Sequence, residues 1–115
     1  MTTTSEILLK IQLDSNKIPQ RLSWQAGETG EGEKECKAFN LSLWDAADKS
    51  TLRIDLWTKD MPVNEMTMHF FQTLISLAEA YERATGVKGV AAEMKSFGER
   101  LSQKVKEQLT PNSTP

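Results

Sequence analysis

Apolar residues recur at every second position in the first half of the chain and at every third or fourth in the second half. Ile7, Leu9, Ile11 and Leu13 alternate with Leu8, Lys10, Gln12 and Asp14, the period of a half-buried strand. Asp14-Ser-Asn-Lys17 is turn chemistry, because Asp and Asn side chains bond nearby backbone amides and tolerate left-handed conformations. A second strand is predicted from Ile18 to Trp24, with Pro19 near its start, where a missing N–H is tolerated. Gln25 to Glu33 holds three glycines and no apolar period, and reads as a loop. A third strand is predicted from Glu35 to Trp44, with Phe39, Leu41 and Leu43 on one side. A fourth runs from Thr51 to Thr58, after a turn over Asp45 to Ser50.

From Pro62 the period lengthens. Met66, Phe70, Leu74, Leu77, Tyr81 and Ala84 form one apolar stripe, widened by Phe71, Ile75 and Ala78. Asn64 is the predicted N-cap and Gly86 the predicted terminator, since glycine enters the left-handed conformation at little cost. A second helix is predicted from Val90 to Leu109, with Val90, Met94, Phe97, Leu101 and Val105 inward and charges of both signs on its other faces. Thr110 to Pro115 reads as a disordered tail, which leaves residues 1–109 as one α+β domain.

This order predicts a four-stranded antiparallel sheet followed by two helices packed on one of its faces, ββββαα. Pairing of the apolar sets puts Leu43 opposite Leu52 and Leu41 opposite Ile54, because a slip of one residue would turn a whole set away from the core. The other face then gathers Ala38, Asn40, Ser42 and Trp44 beside Arg53, Asp55 and Trp57. Tryptophan and arginine are enriched at the centres of protein interfaces. Asn40, Ser42, Trp44, Arg53, Asp55 and Trp57 are therefore the candidate interaction face. The plainer reading is a solvated face with an in-strand ion pair of little worth.

Composition removes several functions. The chain has 115 residues, enough for one domain that buries roughly two-thirds of its unfolded surface. A formal net charge of −2 argues against nucleic-acid binding, which needs a basic stripe. No apolar run reaches the ~18 residues of a membrane span, and Met1 to Glu6 lacks the basic cluster and apolar stretch of a secretory signal. A cytoplasmic protein is expected. Cys36, the single cysteine, excludes an internal disulfide, and with no histidine near it in sequence it reads as a strand residue rather than a nucleophile. His69 is the only histidine, and with Glu65 one turn ahead it falls short of a metal site. Gly27-Glu-Thr-Gly-Glu-Gly32 lacks the lysine and following helix of a phosphate cradle. Met61, Met66, Met68 and Met94 read as core filler and helix-start packing. No catalytic residue, cofactor or metal site is assigned.

The run Thr51-Leu-Arg-Ile-Asp-Leu-Trp-Thr-Lys-Asp-Met-Pro-Val-Asn-Glu-Met66 resembles the gliding motility-associated GldC family of Bacteroidota. The likeness continues through Phe70-Phe-Gln-Thr-Leu74 and Glu82-Arg-Ala-Thr85, and more loosely in Leu43-Trp-Asp45 and Ser5-Glu-Ile7. It implies a small soluble accessory protein linked to gliding motility, without enzymatic activity and without catalytic residues to carry over. The expectation is a non-enzymatic module that meets a protein of the gliding machinery and self-associates as a dimer, with no nucleic acid and no membrane insertion. A first alternative comes from topology, since four strands then two helices is also the order in SecB-type export chaperones. A chaperone or peptide-binding module would take extended segments on a strand edge or in an apolar groove. A second alternative, a small enzyme or ligand binder, requires a deep pocket with convergent polar groups around His69 or Asp55.

Overall fold

The alternating segments fold into five strands rather than four: β1 (Ile7–Leu13), β2 (Pro19–Ala26), β3 (Lys34–Cys36), β4 (Ala38–Asp45) and β5 (Ser50–Trp57). Two helices follow, α1 (Val63–Thr85) and α2 (Lys88–Leu109). The structure is a computed structural model and describes residues 2–27 and 32–109, so the predicted tail and the middle of the glycine-rich loop lie outside the described residues. The chain divides into two compact units, Met1–Met61 and Pro62–Pro115. The strands are antiparallel, and the class is α+β as the periodicity indicates. The single four-stranded sheet is a misreading. There are two sheets, one ordered β1-β2-β3 and the other β4-β5.

The misreading has a local cause at Lys37. The predicted third strand, Glu35 to Trp44, pairs with β2 only in its first part, Cys36 opposite Leu22. From Ala38 onward it pairs with β5, Ala38 opposite Trp57. Each neighbour takes a different half, and the chain bends between them, as strands do when they pass from one sheet to another. Several bonds hold the bend. The Thr58 N–H donates to the Lys37 carbonyl at 2.9 Å, Lys37 Nζ reaches Asp60 Oδ2 at 2.9 Å, and the buried Thr58 Oγ1 donates to Asp60 Oδ1 at 2.7 Å.

The turns between β1 and β2 and between β4 and β5 are built by aspartates. Asp14 Oδ1 accepts from the Asn16 and Ile18 N–H groups at 2.8 and 3.0 Å. Asp45 Oδ2 accepts from the Asp48 N–H at 2.7 Å. Lys17 and Lys49 close these turns in the left-handed region, with φ of 63° and 53°. The core of the β unit centres on Leu22, fully buried at 0 % exposure on the middle strand between Ile11 and Cys36. On the opposite side of β2, buried Ser23 bonds Glu33, which also pairs with Lys10 Nζ at 2.9 Å. Lys34 stands over the Trp24 ring, 5.6 Å from its centroid.

In the second unit, α1 begins after Pro62, which makes no side-chain cap bond, so Asn64 is a first-turn residue and not the N-cap. The C-terminus is as predicted: Gly86 is left-handed at φ 75° and its N–H donates to the Glu82 carbonyl. The helix contact agrees with the predicted stripe in part: Leu74 and Ile75 of α1 lie against Gly98 of α2. The buried residues of the two helices, among the described ones, are Ala78, Ala91 and Gly98, while Phe70, Leu77, Val90 and Phe97 are exposed. Small side chains let two helix backbones approach closely, and the predicted apolar sets contain Ala78 but neither Ala91 nor Gly98. A Cβ on Gly98 would lie 2.8 Å from Ile75 Cδ1 and 3.6 Å from Leu74 Cδ2. Gly98→Ala is expected to be near neutral, because the Ile75 methyl can swing aside and alanine gains about 1 kcal/mol of helix propensity. Gly98→Leu cannot be accommodated that way and is expected to cost about 1–3 kcal/mol by overpacking. Thermal melts of the two variants check this, and equal losses would contradict the close approach.

Candidate interaction face

The β4–β5 ribbon has the register that the apolar alternation implies. Leu41 pairs with Ile54, Leu43 with Leu52 and Phe39 with Leu56. Directly opposed residues share a face. The other face therefore runs in rungs from Ala38 and Trp57 through Asn40 and Asp55, then Ser42 and Arg53, to Trp44 and Thr51. All six predicted residues are on it. The two tryptophans stand at opposite ends, about 20 Å apart at a strand rise of ~3.4 Å per residue.

Between them the four polar side chains form one bonded group. Arg53 grips Asp55 with two donors, Nη2 to Oδ1 at 2.6 Å and Nε to Oδ2 at 3.2 Å. Its Nη1 donates to Ser42 Oγ, across the ribbon. Asn40 Nδ2 donates to Asp55 Oδ1 at 2.6 Å. These bonds use three of the five N–H donors of the guanidinium, and two remain for another molecule. The Arg53 guanidinium, and after it the Asn40 amide, holds the Asp55 carboxyl below the ordinary carboxylate range; Asp55 in turn raises Arg53. The pair is charged at neutral pH and cancels to zero net charge. Trp44 is 68 % and Trp57 53 % exposed, so the aromatic ends are available to a partner.

Beside Trp57 lies an open cleft of about 320 Å³, lined by Ile18, Pro19, Asp55, Leu56, Trp57 and Lys59. Its walls are mostly apolar, and Asp55 is already engaged by Arg53 and Asn40, so polar groups do not converge there. Sequence reading missed Ile18, Pro19 and Lys59. Ile18 and Pro19 come to this cleft from a distant part of the chain, where the Lys59 N–H donates to the Pro19 carbonyl at 3.3 Å, and no local pattern marks this.

Lys59 also carries a tether. Its Nζ lies 2.8 Å from Asp14 Oδ2, joining the first turn to the end of β5. The Lys59 ammonium, with the Ile18 and Asn16 amides, lowers the Asp14 pKa from 3.8 to about 2. Asp55, Asp60 and Glu33 are lowered as well. A carboxyl whose folded pKa is depressed contributes stability above its unfolded pKa and loses it as pH falls through the folded value. The urea midpoint is therefore expected to fall between about pH 4 and pH 2. Asp14→Asn should show a shallower fall in that window, with a lower midpoint at neutral pH. Identical slopes for the two proteins would remove Asp14 from this account.

Two further chemical candidates, His69 and Cys36, have surroundings of their own. His69 packs edge-on against Phe70 on α1, centroids 5.9 Å apart. Burial, and after it the Glu35 charge, pushes the Cys36 thiol above its usual range, opposite to what a nucleophile needs. Among the described residues, no three His, Cys, Asp or Glu side chains are grouped to hold a metal ion. Among them too, no helix is long and apolar enough to cross a membrane.

The model of a family described as Gliding motility-associated protein GldC-like matches residues 19–107. That span contains every residue of the face. Comparison with curated proteins found no match, and neither did comparison with solved structures.

Proposed function

Because the chain belongs to the gliding motility-associated GldC-like family, we propose that it is a non-enzymatic accessory protein that binds a protein partner of the gliding apparatus through the β4–β5 face. The observation that carries this reading is the pre-ordered group of Asn40, Ser42, Arg53 and Asp55, set between exposed Trp44 and Trp57. Side chains already fixed by one another lose little further freedom on binding. Aromatic area at both ends and directional arginine donors between them are the composition of an interface centre. The zero net charge of the polar group points to a partner recognised by hydrogen bonds and aromatic contact rather than by long-range attraction.

The test is comparative recovery from cells of the native host. Tagged wild-type protein and the Arg53→Ala/Trp57→Ala variant are passed through the same lysate. The reading expects at least one protein retained by the wild type and lost with the variant, whose circular dichroism is unchanged. The same proteins recovered with both would refute it.

A further inference from the structure

The three-stranded sheet ends at β1, and among the described residues no strand lies beyond it. Which backbone groups face that open edge follows from the ladder. Gly27 N–H donates to the Glu6 carbonyl at 2.9 Å, and the regular register continues from Ile7 opposite Ala26 to Gln12 opposite Arg21. In an antiparallel pair, bonded and non-bonded residues alternate. Even-numbered residues of β1 therefore bond to β2, and the N–H and C=O groups of Ile7, Leu9 and Ile11 point away from it.

Soluble proteins blunt such edges with prolines, charges, bulges or short strands. β1 has seven residues, no proline, one charged side chain, Lys10, and its register shift falls only at the far end, between Gln12 and Leu13. Ile7 is 74 % exposed, and Leu8, Ile11 and Leu13 are exposed too. A lone exposed leucine means nothing. Here, however, an open backbone edge and an aliphatic row coincide on the same strand.

We propose that this edge joins a second copy of the chain, with the two β1 strands antiparallel about a two-fold axis at Leu9. The side-chain pattern selects both the occupant and the register. Pairing about a two-fold axis perpendicular to the sheet keeps odd residues opposite odd ones, so the aliphatic row meets itself. An axis at Lys10 would set two ammonium groups directly opposite each other, which is destabilising. An axis at Ile11 would run the pairing into the Gln12/Leu13 irregularity. With the axis at Leu9, Ile7 faces Ile11 of the second copy, and Leu8 faces its Lys10. The paired segment then lies wholly in the regular part of β1, and Ile7, Leu9 and Ile11 exchange backbone bonds with the second copy. The resulting sheet is continuous across both copies, and the β4–β5 face takes no part in it.

Leu9→Pro tests this selectively, because it deletes an outward N–H that the β1–β2 ladder does not use. Light scattering of the wild type is expected to give twice the chain mass of 12.9 kDa, and of Leu9→Pro the single mass with unchanged tryptophan fluorescence. Arg53→Ala/Trp57→Ala should remain dimeric. A wild type that stays monomeric at about 100 μM overturns the proposal, as does a folded Leu9→Pro dimer; dissociation constants above that value correspond to contacts too weak to count as a dimer. Should Leu9→Pro fail to fold, amide exchange of the wild type decides. Protection of Ile7, Leu9 and Ile11 that rises with protein concentration supports the edge; protection independent of concentration sinks it. Binding of an extended foreign peptide to monomeric protein at these same amides would also overturn it.

Discussion

Leu22→Ala is expected to cost about 2–5 kcal/mol, the largest stability loss from any single truncation in the β unit. Leu22 is the one large apolar side chain among the described residues that is fully buried, and it sits on the middle strand with neighbours on both sides. Its removal leaves a cavity where backbone is bonded left and right and cannot collapse inward. Domains of this size have only roughly 5–15 kcal/mol of stability in total, so the variant should lie near its unfolding midpoint at 37 °C. Leu52→Ala gives the contrast. Leu52 is about half exposed, and truncating it should cost about 1 kcal/mol or less. All three tryptophans are in the β unit, so urea titration followed by tryptophan fluorescence reads its stability directly. Equal midpoints for the two variants would mean that Leu22 is not the centre of this core.

What the sequence made legible follows the rules that are local. The β4–β5 register could be read from Leu41, Leu43, Leu52 and Ile54 because alternation and one tight turn determine it together. The face of Asn40, Ser42, Arg53 and Asp55 came with it, since side chains opposite the apolar set have nowhere else to go. Asp14 and Gly86 announced their turn and helix end by chemistry that acts within four residues. The failures have another character. Neither glycine nor proline marks Lys37, where the chain leaves one sheet for the other. The bend there is set by Thr58 and Asp60, more than twenty residues away. On the helices, Leu74, Ile75 and Ala78 are legible from the period, but Ala91 and Gly98 are not, because they contribute by being small and a count of apolar residues gives smallness no weight. Proline 62 displaced Asn64 from the cap for a similar reason: its fixed φ of −72° starts the helix without any side-chain bond.

The same distinction sets what to expect of the face when it is mutated. Arg53→Ala should leave the melting temperature unchanged within about 2 °C, because exposed ion pairs contribute little to folding. On the proposed reading its effect belongs to binding. Loss of the guanidinium removes the donors directed at the partner and also frees Asp55 and Ser42, whose positions depend on it. An uncompensated carboxylate would then face the interface, so Arg53→Ala should weaken partner affinity at least about thirtyfold, the scale of a hot-spot residue. Arg53→Lys separates charge from geometry. A lysine keeps the charge but cannot grip Asp55 with two parallel bonds and reach Ser42 as well, so it should recover little of the loss. Trp57→Ala should weaken binding to a similar degree by removing aromatic area beside the cleft, whereas Thr51→Ala, on the same face at its far end, should change affinity less than about threefold. Titration calorimetry with the recovered partner measures all four. Full affinity in Arg53→Lys would show that the partner reads only charge, and the bonded group between the tryptophans would then have no part in recognition.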